Sequence, residues 1–594
     1  MTHGTLKIHT ENILPIIKRW LYSDKDIFIR ELVSNACDAL RKLQILRDQN
    51  LADIKDDELK IELFVDKDAR TLQFIDTGLG MTAEEVEKYI AQIAFSGAEE
   101  FINKYEKTSE TDQMIGHFGL GFYSAYMVAE KVTIDTLSYQ PDAEAAFWSC
   151  AGSSDYTLEK GSRTSRGTTI TLHVGADSDE FLEEFRLQEI LQRYCLFLPY
   201  PIYLNGNRIN EQEPLWIKNS ADCTEKEYLE FYHVLYPMEP DPIFWIHLNV
   251  DVPFHLQGIL YFPKIGKQFD WSKNNIQLFV NRVFVSESCK DLIPDFLMCL
   301  RGAIDSPDIP LNVSRSSLQM DKTVRQLSSH ISKKVADKLA SLHQADKEKF
   351  LTAWPEIEMI VKLGMLQDEK FYTRAKEFLV WKTLTNTWTT LDGRTGTVFY
   401  TADANAPVLE LYKDKDVILS TSPLDSHLFS ALEPKLSLKF QRIDGALDDS
   451  LLDASREKNL IDSEGRTESS KIADFFRKVL GTPQMEVEAK SLASDTLPAF
   501  IIFDEKTRRL RDAMALSGHN MPSFEAKKTF IVNTNNSLIE SLYQMQTSQP
   551  ELAQDIAHHL YDLSLLAQKE IDPTAISTFI QRSTQVLEKL LRKT

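Results

Sequence analysis

Cysteine is scarce in this chain. Six residues (Cys37, Cys150, Cys195, Cys223, Cys289 and Cys299) are scattered through 594 positions with no Cys-x-x-Cys pair. That excludes a disulfide framework and a cysteine-based zinc site, and it suits a reducing compartment. Long apolar runs are missing as well, so no membrane span is expected. The opening MTHGTLKIHT has neither a basic stretch leading into an apolar core nor a small-residue cleavage site, so no secretory signal is expected. Positive charge is in deficit: 67 Lys and Arg face 88 Asp and Glu, a net charge of −21. Such a surplus repels phosphate backbones and argues against non-specific nucleic-acid binding. Glycine and proline, 22 each, are too few for a fibrous or disordered chain. These absences leave a soluble, cytoplasmic protein with neither nucleic acid nor membrane as a partner.

What is present is ordinary globular material, with 43% hydrophobic and 26% charged residues. At about 150 residues per domain, the length predicts roughly four compact lobes. Helical and alternating-strand patterns mix over the first two hundred residues, with a helix over 26–47 and strands over 61–65, 72–75 and 169–174. The turn-rich LNGNRIN of 204–210 places a first boundary, giving a domain over 1–208. A second region, 213–455, divides into a larger α/β part to about 345 and a smaller one over about 375–450. The larger part has strands over 243–250, 257–262 and 276–280 and a long helix over 321–342. The polar stretch 456–470 reads as a linker, and a last domain covers 468–594. It ends in two helices. Leu552, Ile556, Leu560 and Leu563 form one apolar stripe; after an Asp572 N-cap and Pro573, Ile576, Ile580, Leu587 and Leu590 form another. These stripes are buried either on their own lobe or against a partner copy.

Three short segments carry the chemistry. On the first helix, Glu31, Asn35, Asp38 and Lys42 are spaced 4, 3 and 4 residues apart. At about 100° per residue they share one face, within roughly 60° of one another. A carboxylate and an amide one turn apart offer a base and an oxygen ligand for a hard cation; taken alone, the same pattern is a solvated face. Next comes DTGLGM over 76–81. Asp76 ends a strand, and an ionised carboxylate can accept from an amino group. The glycines beside it leave room for a flat ring. Third is GHFGLGFYSAYMV over 116–128, a glycine-rich loop opening into an apolar helix, whose free N–H groups suit phosphates. It is neither a P-loop nor the dinucleotide fingerprint. Between the second and third segments, 96–115 is a polar stretch suited to a mobile lid. RGTTITL over 166–172 then offers threonine hydroxyls on a strand.

In this order the segments resemble the Bergerat-type ATPase superfamily. More closely, the chain resembles the ninety-kilodalton heat-shock chaperone family in its bacterial form. The likeness rests on FIRELVSNACDAL over 28–40, DTGLGM over 76–81, IGHFGLGFYS over 115–124, NRVFV over 281–285 and PLNVSRSSLQ over 310–319. It implies an α/β (α+β) chain with an N-terminal two-layer ATPase sandwich, a two-part middle α/β domain and a C-terminal helical dimerisation domain. The implied activity is slow ATP hydrolysis that drives the remodelling of partly folded client proteins in a homodimer, as part of a stress response. By the resemblance, Glu31 polarises the attacking water, Asn35 helps hold Mg²⁺ and the phosphates, and Asp76 receives the adenine amino group with support from Thr168. Gly116, Gly119, Gly121 and Phe122 line the phosphate end; Asp38, Lys42 and Met81 complete the pocket; Arg315 reaches the γ-phosphate, and Gln319 shares its run. Base and arginine on different domains would make hydrolysis wait for domain docking.

The chain departs from the family pattern at the lid base. Phe95 stands where a lysine is usual, Tyr89 where an asparagine is usual, and Ala91 replaces a glycine. These changes imply a weaker nucleotide grip with hydrolysis retained through Glu31 and Arg315. The chain ends in LLRKT, so co-chaperones that read an acidic tail are not expected as partners. Two rival readings remain, a nucleotide-binding scaffold with little hydrolysis and another Bergerat-fold ATPase; the negative charge weighs against a DNA-directed one.

Overall fold

The structure is a computed structural model. It describes residues 24–594 except 53–57, 94, 96, 98–99, 102–113, 117–118, 154, 265–274, 288, 290–291, 313–321, 454, 456–465, 482–484, 506, 511–526 and 592–594. Arg315 and Gln319 therefore lie outside the described residues, as does most of the expected lid at 96–115. The chain forms two compact units, Met1–Lys338 and Leu339–Thr594.

In the first unit, helix α1 (Ile27–Asp48) is free of glycine and proline and has Arg47 in its last turn, where a cation complements the helix dipole. Its apolar face, including Phe28, Ile29, Leu32, Val33 and Leu40, is fully buried. That face packs on an eight-stranded sheet. The strands are β1 (Ile61–Asp66), β2 (Thr71–Asp76), β3 (Ala129–Leu137), β4 (Ala146–Cys150), β5 (Tyr156–Lys160), β6 (Gly167–Val174), β7 (Ile202–Leu204) and β8 (Asn207–Arg208), in the order β5-β4-β3-β6-β2-β1-β7-β8. Helices α2 (Ala83–Tyr89) and α3 (Glu184–Cys195) and a 3-10 segment, Gly121–Met127, complete this layer. The apolar helix expected after the glycine loop is thus 3-10 in form. Burial on one strand face alternates with partial burial on the other, as in β2. The β1–β2 register sets Ile61 opposite Asp76, and β6 sets Thr168 opposite Asp76 from the other side. The strand-end carboxylate is therefore centred in the sheet.

The same unit continues through helix α4 (Glu225–Leu235) into a second sheet. Its strands are β9 (Phe244–Val250), β10 (Leu256–Phe262), β11 (Asn275–Val280), β12 (Val283–Ser286) and β13 (Arg301–Asp305), in the order β12-β11-β13-β10-β9. One hydrophobic core runs from α1 through Trp216 and Phe231 to Ala303. Edge-to-face contacts of Phe197 with Trp216 and Phe279 carry it across 204–216. Packing in this unit is thus continuous through the turn-rich 204–210.

Helix α5 (Lys322–Ala345) contains the division between the units. The second unit begins with helices α6 (Lys347–Gln367) and α7 (Glu369–Ala375). A five-stranded sheet follows in the order β15-β14-β17-β16-β18, from β14 (Trp381–Thr383), β15 (Trp388–Thr389), β16 (Gly396–Thr401), β17 (Val417–Leu419) and β18 (Leu438–Arg442), with helix α8 (Asp425–Leu436) against it. Lys362 is buried there between Glu358 and Asp425. Helix α9 (Glu468–Leu480) starts inside the stretch expected as a linker, because Thr467 caps it by accepting from the Ser470 N–H. A three-stranded sheet, β19-β21-β20, is built from β19 (Met485–Lys490), β20 (Ala499–Phe503) and β21 (Lys528–Asn533). Helices α10 (Ser537–Ser548), α11 (Pro550–Ala567) and α12 (Ile576–Leu591) end the chain. Asp572 caps a 3-10 turn, Pro573–Ala575, that leads into α12. On α11, Leu552, Ile556 and Leu560 are buried, while Leu563 is exposed. The stripe on α12 is open to solvent: Ile580 is 57% and Leu587 59% exposed. Among the described residues, no helix is long and apolar enough to cross a membrane.

Candidate functional site

A cavity of about 380 Å³ opens between α1 and the sheet. Eleven of the expected site residues line it. Glu31, Asn35, Asp38 and Lys42 come from α1; Asp76 from the end of β2; Met81 from the turn beyond; Gly116, Gly119, Gly121 and Phe122 from the glycine loop; and Thr168 from β6. Arg315 and Gln319, the other two, lie outside the described residues.

At one end the carboxylate of Asp76 is buried. Burial pushes its pKa up to about 6, against the lowering pull of the Gly78 N–H, Arg163, the Thr168 main chain and Arg166. The Gly78 N–H donates to Asp76 Oδ1 at 2.8 Å. The turn is crowded: a Cβ at Gly78 would lie 2.7 Å from Ala39 Cβ, and Gly80, at φ +62°, would place one 1.8 Å from the Leu137 carbonyl oxygen. Both positions accept only glycine. The Met81 N–H donates to Thr136 Oγ1 at 3.0 Å, and Thr136 and Thr168 share a hydroxyl–hydroxyl bond of 3.0 Å. Thr168 therefore reaches the DTGLGM turn through Thr136, a residue that sequence reading did not single out.

At the other end Glu31 is only 3% exposed. Arg30 Nη2 donates to Glu31 Oε1 at 2.9 Å and Nε at 3.1 Å, a buried ion pair between neighbours on the helix. A Cβ at position 121 would come within 2.7 Å of Glu31 Oε2, so Gly121 lets the glycine loop close against the carboxylate. Asp38 is engaged with that loop: its Oδ1 accepts from the Ile115 N–H at 2.8 Å and its Oδ2 from the Gly116 N–H at 2.6 Å. It thus fastens the entry to the loop. Asn281, in the β11–β12 turn, donates to the Met114 carbonyl at 3.0 Å and holds the same stretch from the second sheet.

Lys42 Nζ donates to the Gly97 carbonyl at 3.2 Å. Burial lowers its pKa, with Asp38, Glu100 and Glu85 opposing. Two of the three departures from the family pattern, Tyr89 and Phe95, meet in space. The rings of Tyr89 and Phe95 lie 5.9 Å apart, and Lys88 Nζ stands 5.3 and 5.4 Å from their centroids. Lys88 also donates to Glu100 at 2.7 Å, and Tyr89 Oη donates to Glu100 Oε2 at 3.2 Å. Gly119, at φ +63°, packs on the Phe95 main chain. Among the described residues, Lys42 is the only cationic side chain lining the cavity, against Glu31, Asp38, Asp76, Glu85 and Glu100.

A cleft with mixed apolar and polar walls, an acceptor at a crowded glycine turn, a glycine loop and a buried glutamate suits a flat base at one end and phosphates at the other. Sequence comparison agrees. A family model described as histidine kinase-, DNA gyrase B- and HSP90-like ATPase matches residues 26–178, and one described as Hsp90 protein matches 204–593. The chain is 40% identical to the chaperone protein HtpG of Porphyromonas gingivalis, covering 93% of this chain and 86% of the relative. The HtpG of Bacteroides thetaiotaomicron is 38% identical over the same shares, and that of Desulfitobacterium hafniense 29% identical over 99% of both chains. The chain belongs to the Hsp90 family, and it is an ATP-dependent molecular chaperone with ATPase activity.

Proposed function

We propose that the cavity binds ATP with its adenine at Asp76 and its phosphates at the glycine loop, and that hydrolysis there drives the remodelling of partly folded client proteins. The observation that carries this reading is the convergence of Glu31, Asn35, Asp76 and the three loop glycines on one cleft. Glu31 takes the proton of the attacking water, and its position against Gly121 supports that role. Asp76 accepts from the adenine amino group, with Thr168 opposite it on the neighbouring strand. Met81, Phe122 and Lys42 shape the walls, and Asp38 holds the loop entry. By the family resemblance Arg315 supplies charge at the γ-phosphate, and Gln319 belongs to the same run.

Among the described residues, five carboxylates and one lysine line the cleft, a balance that favours added positive charge beside a triphosphate. This supports both Arg315 and a Mg²⁺ ion. Among the described residues no cluster of three His, Cys, Asp or Glu could hold a metal. Asn35, on the cavity wall, would share a Mg²⁺ ion with the phosphates, and the ion would supply positive charge beside the phosphate oxygens.

The domain plan is 1–208, 213–455 and 468–594, with homodimerisation through the C-terminal helices. The open stripe on α12 supports that interface. Location in the cytoplasm, with no nucleic-acid or membrane partner, completes the reading. The test is ATP turnover and binding in the wild type, Glu31→Ala and Arg315→Ala. Turnover lost in both variants, with binding kept in the first, is the expected result; equal rates in all three overturn the mechanism.

A further inference from the structure

We propose that Arg163 and Arg166 are positioning residues for the base-reading end of the cleft: from behind the Asp76–Gly78 turn, they hold its carbonyl oxygens, aim the Asp76 carboxylate and supply the positive charge beside it. This deepens the proposed function and rests on Asp76 as the acceptor of the adenine amino group.

The geometry leaves little slack. Arg163 Nη2 donates to the Asp76 carbonyl at 3.0 Å and to the Arg166 carbonyl at 3.2 Å, its Nε donates to the Ser165 carbonyl at 2.9 Å, and its Nη1 donates to Thr169 Oγ1. Arg166 Nε donates to the Thr77 and Gly78 carbonyls at 3.2 Å each, and its Nη2 to Thr77 at 3.1 Å. All three carbonyls of the turn are thus taken by guanidinium groups arriving from the loop before β6. Gly167 lets that loop lie flat, since at φ +116° a Cβ would stand 2.1 Å from the Asp76 carbonyl oxygen. A guanidinium suits the task because its fixed fork reaches two carbonyls at once, which an ammonium cannot do with the same geometry.

The arrangement bears on binding as well as on shape. Asp76 faces Cys37 from α1, the Gly78 N–H from its own turn, the Thr168 main chain from β6, and Arg163 and Arg166 from the loop. Asp135 on β3 lies against Arg163, whose main-chain N–H donates to Asp135 Oδ1 at 3.3 Å; Asp38 and Lys42 share the cavity wall. Burial favours the neutral acid, and the two arginines oppose it. The ionised carboxylate is acceptor-only and makes the stronger, charge-assisted bond, so the hold on a donor amino group weakens as Asp76 takes up a proton. Removing one guanidinium charge raises the pH at which that happens.

The test is calorimetric titration of the full chain with ADP across the range from about pH 5 to about pH 8. Ionisations of the nucleotide are common to all variants, so the difference between midpoints is the readout. Arg163→Met is expected to move the acid midpoint of affinity up by about one pH unit while binding recovers in the alkaline range. Arg163→Lys, which keeps the charge, is expected to return the midpoint towards that of the wild type. Arg166→Met gives a second, independent shift in the same direction, and thermal unfolding identifies any variant that has not folded. Asp76→Ala separates the two layers of the argument. If it binds ADP as the wild type does, the role of Asp76 falls and this inference with it. If it loses binding while folded arginine-to-methionine variants titrate with the wild-type midpoint, the inference alone is overturned.

Discussion

Asp38 offers a quantitative test of how the glycine loop is held. Its carboxylate accepts two main-chain hydrogen bonds, from Ile115 at 2.8 Å and Gly116 at 2.6 Å. Hydrogen bonds to a charged acceptor contribute about 1.5–3 kcal/mol each, so the pair is worth at least about 3 kcal/mol to the docked loop. Asp38→Ala removes both acceptors without weakening α1, because alanine is the strongest helix former. The loop entry then has to be ordered at the expense of nucleotide binding. With each tenfold change in affinity equal to about 1.4 kcal/mol, the loss is roughly a hundredfold. Asp38→Asn keeps one oxygen acceptor and is expected to lose about tenfold, half the free energy. The assay is calorimetric titration with a non-hydrolysable ATP analogue, with thermal unfolding as the control for global damage. An unchanged affinity in Asp38→Ala, or equal losses in the two variants, would refute the reasoning.

Three further outcomes are expected. Phe95→Lys opens the aromatic cluster of Tyr89 and Phe95 beneath Lys88 and returns a positive charge to the lid base; ATP affinity should rise, and an unchanged affinity sinks the idea that this position weakens the grip. Ile580→Asp with Leu587→Asp places charges on the open stripe of α12; sedimentation should find a monomer with its secondary structure intact, and a persistent dimer would put the interface elsewhere. Asp305 is a third case. Burial raises its pKa to about 6, although the Arg282 N–H at 3.0 Å and Trp216 Nε1 at 3.3 Å both donate to Oδ2. Its unfolded value is lower, so the folded state binds more protons between about pH 4 and pH 6, and stability falls as pH rises through that window. Asp305→Asn keeps an acceptor and removes the ionisation. It should flatten that slope and stabilise the protein at neutral pH by at most about 3 kcal/mol, and a lower melting temperature at pH 7 would contradict this.

Much of the candidate cleft was legible in the chain because its parts are local. The face carrying Glu31, Asn35, Asp38 and Lys42 follows from helical spacing alone, and α1 puts all four on the cavity wall. Asp76 was readable as a strand end followed by glycines, and β2 does end there. The glycine loop was readable too, but the form of the helix after it was not. GFYSAYM carries an apolar pattern that suits either helix type, and close packing of the loop on Glu31 and Phe95 accompanies a 3-10 turn. The linker reading ran past its true end for a similar reason. Polar residues over 466–470 look like a loop until the Thr467 hydroxyl is seen to cap α9.

By itself, then, the sequence determined the residue types that line the cleft, the elements that carry them and, through its ordered motifs, the family. Tertiary structure decided what each of those residues touches. Arg163 lies 87 positions from Asp76, and Asp38 lies 77 from Ile115. No spacing rule connects such pairs. They meet because β6 pairs with β2 in one particular register and because α1 lies across the sheet beside the glycine loop. Side-chain chemistry is encoded residue by residue. The field around a buried carboxylate, and the atom to which each guanidinium points, exist only once the core has closed and water has been excluded from the turn.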